Sequence, residues 1–322
     1  MPRAVVAIGG HALVPHTHQS SMEDQFAQAR LICEHLAELV IQGWDLVLTH
    51  GNGPQVGALL RSFEADPDAP PMPLDVIDAD TQGGIGYMLQ QLLGNALRGR
   101  GSTRTVVALV TQVVVETGPP GDTQGVGPVT KPVGRFLTED EARRARDDFG
   151  WTVAPVPSAE PGAEIMWRRM VASPKPVRIV ERAAIAACID HDLIPITVGG
   201  GGVPVVEDIP GRYRGVPAVV DKDRASALLA NELGADLLLI TTDVPAVQVG
   251  FGGPQPRALG HVLAAELADH ARAGEFPPGS MGPKVEAILE FVTRGHGGRR
   301  GIITDPPNIL AAVAGQTGTI VT

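Results

Sequence analysis

Short apolar runs of four to six residues recur along the chain and alternate with stretches of helical spacing. That alternation predicts a mainly parallel sheet covered by helices. The runs are residues 4–8 (AVVAI), 45–49 (DLVLT), 105–110 (TVVALV), 194–198 (IPITV), 237–241 (LLLIT) and 301–304 (GIIT). Between the first two, Phe26, Ala29, Cys33, Leu36 and Val40 recur at intervals of three and four. This is the stripe of an amphipathic helix over residues 22–42, with Ser20 or Ser21 as its N-cap. A further helix is expected after Asp80, through Tyr87 to Leu93, and Thr138-Glu139-Asp140-Glu141 reads as a capping box. Residues 116–175 break the rhythm: they are rich in Pro, Gly and charge, with a short helix near 138–149. A stretch of that length exceeds a simple connection and is read as an inserted subdomain or lid. Residues 1–215, lid included, then form one lobe and residues 216–322 a second.

Composition narrows the class. At 322 residues and 43% hydrophobic, the chain can bury a large core, as one two-lobed unit or two domains. No run approaches the roughly 20 apolar residues that cross a bilayer, and the start lacks the pattern of a signal peptide. The expectation is a cytoplasmic protein without a membrane partner. A net charge of −10 argues against a nucleic-acid partner but leaves room for a small anion in a locally positive loop. The two cysteines, Cys33 and Cys188, both sit in apolar helical patterns and are expected to be buried, reduced thiols.

Four strand ends lead into loops suited to anions. Ile8 runs into Gly9-Gly10-His11, and Thr49 into His50-Gly51-Asn52-Gly53-Pro54. Val198 runs into Gly199-Gly200-Gly201-Gly202, and Thr241 into Thr242-Asp243-Val244-Pro245. Glycine lets backbone N–H groups approach an anion, and a following helix N-terminus adds a favourable dipole. One such loop is often only a tight turn; four at strand ends mark the place where open α/β sheets bind ligands.

The lysines sharpen the chemistry. Only four of the 26 Lys plus Arg are lysine. Lys175 reads as a solvated turn residue. Lys131, Lys222 and Lys284 lie in segments rich in Gly, Pro or Asp, read as loops, and a compact ammonium there suits phosphate. The chain has no Gly-Lys dipeptide, which excludes a Walker P-loop. The glycines of 51–57 follow the second strand and lack the acidic residue of a dinucleotide site. Protein-kinase signatures are absent. Phosphoryl transfer, which needs positive charge and alignment more than covalent chemistry, fits best. Asp223 is placed to orient the lysines or help hold hydrated Mg2+, whereas Asp221 alone reads equally well as a helix N-cap.

Taken together, these segments resemble carbamate kinases. The match runs through Gly9-Gly10 with Ala12-Leu13, Thr49 to Gly57, Thr81-Gln82-Gly83-Gly84-Ile85-Gly86-Tyr87 and Thr130 to Gly134. It continues through Gly199 to Gly202, Val220-Asp221-Lys222-Asp223, Thr242 to Pro245 and Gly279 to Lys284, in order over essentially the whole chain. The resemblance implies the amino-acid-kinase fold: a three-layer αβα sandwich with an open, mainly parallel sheet and a protruding lid. It also implies ATP + carbamate ⇌ ADP + carbamoyl phosphate with Mg2+, in a homodimer. It assigns phosphoryl stabilisation to Lys131, Lys222 and Lys284, organised by Asp223. Gly9, Gly10, His11, Gly51, Asn52, Gly53, Gly200 and Gly201 fall on the acceptor side. Asp243, Val247, Met281, Pro283 and Lys284 fall on the nucleotide side. No side chain is assigned as a metal ligand, the ion being held through nucleotide phosphates.

Two segments depart from the family pattern. His11 stands where the family has asparagine, and Glu164-Ile165-Met166-Trp167-Arg168-Arg169 replaces a glycine- and arginine-rich lid segment. Drift in a surface insertion and a changed acceptor both account for this. A metal site at His11, His16, His18 and His50 matches no standard ligand spacing. Two further readings therefore stand beside carbamate kinase: a kinase of the same fold acting on another small carboxylate or carbamate, and a non-catalytic nucleotide sensor.

Overall fold

A computed structural model describes residues 1–14, 21–65, 70, 72–118, 126–156, 165–253, 255–277, 279–295 and 297–322. The chain begins with β1 (Arg3–Ile8), α1 (Met22–Ile41), β2 (Asp45–His50), α2 (Gly53–Glu64), α3 (Leu74–Gly99) and β3 (Val106–Ala108). Next come β4 (Gln112–Val115), β5 (Val129–Leu137), α4 (Glu139–Phe149), β6 (Val153–Val156), β7 (Met166–Ala172) and β8 (Pro176–Ile179). They are followed by α5 (Arg182–Asp190), β9 (Ile194–Ile196), β10 (Val203–Ile209), β11 (Arg212–Gly215), α6 (Lys222–Glu232) and β12 (Leu237–Thr241). The last part holds β13 (Gln248–Val249), β14 (Arg257–Ala258), β15 (His261–Val262), α7 (Ala264–Arg272), α8 (Met281–Arg294), β16 (Arg300–Thr304), α9 (Ile309–Val313) and β17 (Thr319–Val321).

The main sheet has the order β15-β17-β16-β12-β1-β2-β9-β3, and only the β16–β17 pair is antiparallel. Its central strands read as continuous apolar runs because both faces are covered. In β1, Ala4, Val6 and Ile8 pack with Ile32 and Leu36 of α1 and Met88 and Leu89 of α3. Val5 and Ala7 face the other way, into a cluster with Leu229 of α6 and Val285, Ile288 and Phe291 of α8. This is the three-layer αβα sandwich that the resemblance implies, built on the helix-covered parallel sheet that the alternation predicts.

Several boundaries differ from the sequence expectation. The helix expected after Asp80 begins at Leu74, with Pro73 at its N-cap position. Its glycines do not break it. A Cβ on Gly86 would lie 2.7 Å from Ala108 Cβ, so that glycine admits α3 against β3. The strand expected over 105–110 is confined to Val106–Ala108, and that over 194–198 ends at Ile196. The expected capping box of Thr138 with Glu141 opens α4, and Ser21, the N-cap of α1, forms a second one with Asp24. Ser20, the other N-cap candidate, lies outside the described residues. Cys33 is buried and Cys188 half-buried, both as free thiols.

The largest correction concerns the lid. Beyond its short helix it contains a three-stranded antiparallel sheet, β5-β7-β6, absent from the sequence reading. Trp167, Trp151 and Val153 close over Leu137, Ala142 and Ala145 in a small core of its own. Arg146 lies 5.2 Å over the Trp167 ring, while Arg168 donates to the Gly134 carbonyl at 2.9 Å. Trp167 and Arg168, both in the altered segment, thus serve the lid's own packing. Ile165 is exposed, and Glu164 lies outside the described residues. No helix among the described residues is long and apolar enough to cross a membrane.

Candidate active site

The strand order sets the four loops side by side. β12, β1, β2 and β9 are consecutive parallel neighbours, so their carboxyl ends open on one edge of the sheet. Gly9 N donates to Thr241 Oγ1 at 3.0 Å, and Gly51 N donates to the Ile8 carbonyl at 2.9 Å. A Cβ on Gly51 would stand 2.8 Å from Gly10 N and 3.3 Å from Lys222 Cδ. The first two loops therefore touch backbone to backbone beside the stem of a lysine. Gly200 has φ of +68°, and a Cβ there would collide with the Asn52 amide and the Asp78 carboxylate. Gly201, at φ of +102°, lies equally close to the Val220 carbonyl. Gly53 has nothing within 4 Å of its Cβ position and starts α2 just before Pro54.

None of the three lysines sits in a loop, contrary to the sequence reading. Lys131 is on strand β5, Lys222 is the first residue of α6, and Lys284 is in the first turn of α8. The structure nevertheless brings them to one acidic pair. Lys222 Nζ donates to Asp223 Oδ1 at 2.6 Å and Lys284 Nζ to Asp223 Oδ2 at 3.1 Å. Lys131 Nζ reaches Asp221 Oδ2 at 2.9 Å. Asp221 also caps α6, its Oδ1 accepting from the N–H groups of Asp223 and Arg224. Both readings of Asp221, cap and lysine partner, hold at once.

Electrostatics keep the Asp223 carboxylate charged. Burial alone would raise the Asp223 carboxyl, but Lys222 and Lys284 outweigh it and hold it at about 2. Burial lowers the Lys222 ammonium from its ordinary range, and Lys284 adds to that, while Asp223 pulls the other way. α6 itself is pinned to β2: Thr49 Oγ1 lies 2.7 Å from Ser226 Oγ, whose proton goes to the Lys222 carbonyl at 2.6 Å.

Beside the second loop lies a buried polar network the sequence reading missed. Asn52 Nδ2 donates both to Asp78 Oδ1 and, at 2.8 Å, to Thr81 Oγ1. Gln82 binds both the N–H and the carbonyl of Thr111, and Thr111 Oγ1 receives the N–H of Val198. Val198 holds a φ of 51°, a strained setting for a β-branched residue, just before the fourfold glycine loop. Burial pushes Asp78 up to about 7 against the Asn52 hydrogen bond. His50 is 1% exposed and lowered to about 4, first by burial and then by Lys222, so it is neutral with Nδ1–H donating to the Gly51 carbonyl. Thr81 and Gln82 belong to the quoted motif. Asp78 carries no sequence signal because an aspartate in a helix ordinarily reads as solvated.

His11 is exposed and opens a short 3-10 turn. With Asp243, Asp305 and Pro306 it lines a cavity of about 620 Å3. Val247 is wholly buried in the core, its N–H donating to Thr319 Oγ1, while Met281 and Pro283 stand half-buried in the first turn of α8. Among the described residues no group of three His, Cys, Asp or Glu could hold a metal ion. His16 and His18 lie outside them.

Comparison with known proteins agrees with this fold. The model of the amino acid kinase family matches residues 2–305. A carbamate kinase-like protein of Escherichia coli K12, YahI, is 43% identical, covering 98% of this chain and 97% of its own. The carbamate kinase of Thermococcus kodakarensis is 40% identical over 99% and 98% of the two chains. Among solved structures, carbamate kinase from Giardia lamblia bound to AMP-PNP superposes with a TM-score of 0.86 at 35% identity, covering 99% and 98%. The chain belongs to the amino acid kinase family, in the group of the carbamate kinases.

Proposed function

We propose that this protein catalyses ATP + carbamate ⇌ ADP + carbamoyl phosphate. A carbamate oxygen attacks the γ-phosphorus, and the bond from that phosphorus to the β,γ-bridging oxygen breaks. The carrying observation is Asp223 gripping Lys222 and Lys284 at the start of α6, with Lys131 delivered to the neighbouring Asp221. Three ammonium groups so placed would stabilise the charge on the transferring phosphoryl group. Asp223 keeps two of them aligned and apart before substrate arrives.

The acceptor lies on the 1–215 side in this reading, against Gly9, Gly10, His11, Gly51, Asn52, Gly53, Gly200 and Gly201. The nucleotide lies on the 216–322 side, near Asp243, Val247, Met281, Pro283 and Lys284. The relative bound to AMP-PNP supports a nucleotide of this kind. Mg2+ enters with the nucleotide as part of the substrate. Both oxygens of Asp223 are engaged by lysines, and the ion would be held mainly through phosphate oxygens and water. A cytoplasmic homodimer belongs to the same proposal.

Formation of ATP from ADP, Mg2+ and carbamoyl phosphate in a coupled assay tests it. Wild type is expected to turn over, and Lys222→Ala to lose on the order of 100-fold or more in kcat while staying folded. Wild type with no turnover of carbamoyl phosphate removes carbamate as the acceptor. Phosphorylation of another small acid would then point to the related kinase. Binding of ADP with no acid turned over would point to the sensor.

A further inference from the structure

Asn52 stands on the acceptor side of the proposed reaction, and its side-chain amide cannot be turned over. Thr81 has one hydroxyl proton, donated to the Asp78 carbonyl at 2.8 Å. Toward Asn52, Thr81 Oγ1 can therefore only accept. Asp78 Oδ1 also accepts from the same nitrogen. Both amide hydrogens of Asn52 are thus taken by α3. A flipped amide would set its carbonyl oxygen against a hydroxyl with no proton left to give and, whenever Asp78 is ionised, against a carboxylate oxygen.

Among the described residues no donor reaches Asn52 Oδ1; Asn52 is only 4% exposed, yet this oxygen is not fully buried and keeps an open side. The absence of a Cβ at Gly200 is what lets this pair pack against the fourfold glycine loop. An oxygen so held, close to the Gly10 backbone, can take an N–H from the ligand.

We propose that Asp78 is a positioning residue that fixes Asn52 with its carbonyl oxygen toward the acceptor, making the pocket select an acceptor that carries an N–H donor. This rests on the carbamate kinase reading and deepens it: the amino group of carbamate would be read directly, and an isosteric methyl group would be discriminated against.

The test compares two phosphoryl donors in ATP formation from ADP by the full-length protein. Carbamoyl phosphate carries the amino group, and acetyl phosphate puts a methyl group in its place. Wild type is expected to prefer carbamoyl phosphate. Asp78→Ala is expected to lower kcat/KM for carbamoyl phosphate about tenfold, and for acetyl phosphate less than about twofold, so that the preference collapses. Asp78→Asn, whose own carbonyl can accept from Asn52, should keep the preference. Thr81→Val, which removes the other acceptor with little loss of volume, should shrink it in the same direction and serves if Asp78→Ala does not fold. An unchanged ratio in Asp78→Ala, or equal losses with both donors, overturns the positioning role. A wild type that turns over neither donor overturns the functional reading itself.

Discussion

Two buried titratable groups beside the second glycine loop tilt stability in opposite directions as pH changes. His50 is lowered from 6.5 to about 4, mainly by burial. Between those values the unfolded chain binds a proton that the folded chain does not, so this group costs stability as pH falls from 6.5 toward 4. Asp78 is raised from 3.8 to about 7, again mainly by burial, against the Asn52 hydrogen bond and with a small push from Asp75. Here the folded chain holds the proton longer, so stability is lost as pH rises from about 4 through 7. In the wild type the two trends offset each other. Asp78→Asn removes one of them while keeping an acceptor for Asn52. Its melting temperature is expected to gain on wild type between pH 5 and pH 8, by about 2–3 kcal/mol or roughly 5 °C. Scanning calorimetry across that range checks this; a gap that does not change with pH would mean that Asp78 is not a buried carboxyl titrating near neutrality.

A loop between a strand and a helix can hold glycines that matter and glycines that do not, and Gly51 and Gly53 separate the two. Gly51 touches Gly10 and the Lys222 stem, so an added methyl group must push β1's loop or α6 away. Gly53 faces open space at the start of α2. Gly51→Ala is expected to lower kcat more than about tenfold and to destabilise by about 1–3 kcal/mol. Gly53→Ala should leave the melting temperature near wild type, since its methyl group meets open space and alanine suits a helix better than glycine. Kinetics and melting of the two single variants decide it. The glycine spacing made both residues visible in the sequence, but only the packing tells them apart. The lysines show the same limit. Rarity among basic residues singled out Lys131, Lys222 and Lys284, yet the Pro and Gly around them suggested loops where the fold has a strand and two helix starts. In β5 only Val133 and Leu137 are buried, which leaves no period-two pattern to read.

At the scale of the whole molecule, the sheet order and the lid are what turn scattered motifs into one site. Parallel alternation was legible in the runs of β1, β2 and β12; the adjacency β12-β1-β2-β9 was not, because it follows from long-range pairing. The lid is joined to this frame partly through Lys131, which crosses from β5 to Asp221 at the start of α6. The Lys131 side chain is 35% exposed, so solvent screens the pair and its contribution to stability is small. Lys222 and Lys284, at 12% and 17%, are held in place far more firmly. Two lysines are therefore fixed in the frame, while the third sits on the lid and, in the proposed reaction, would exchange a carboxylate for an arriving phosphate. Lys131→Ala should leave the melting temperature within about 2 °C of wild type, as expected for a screened pair. It should lower kcat by roughly 10- to 100-fold, because a charge aimed at the transferring group is lost. ADP affinity by calorimetry should stay within about threefold, since the nucleotide side keeps Lys284. A variant with wild-type kcat would show that the lid lysine pairs only with Asp221, and a large fall in melting temperature would show that the pair holds the lid to the frame.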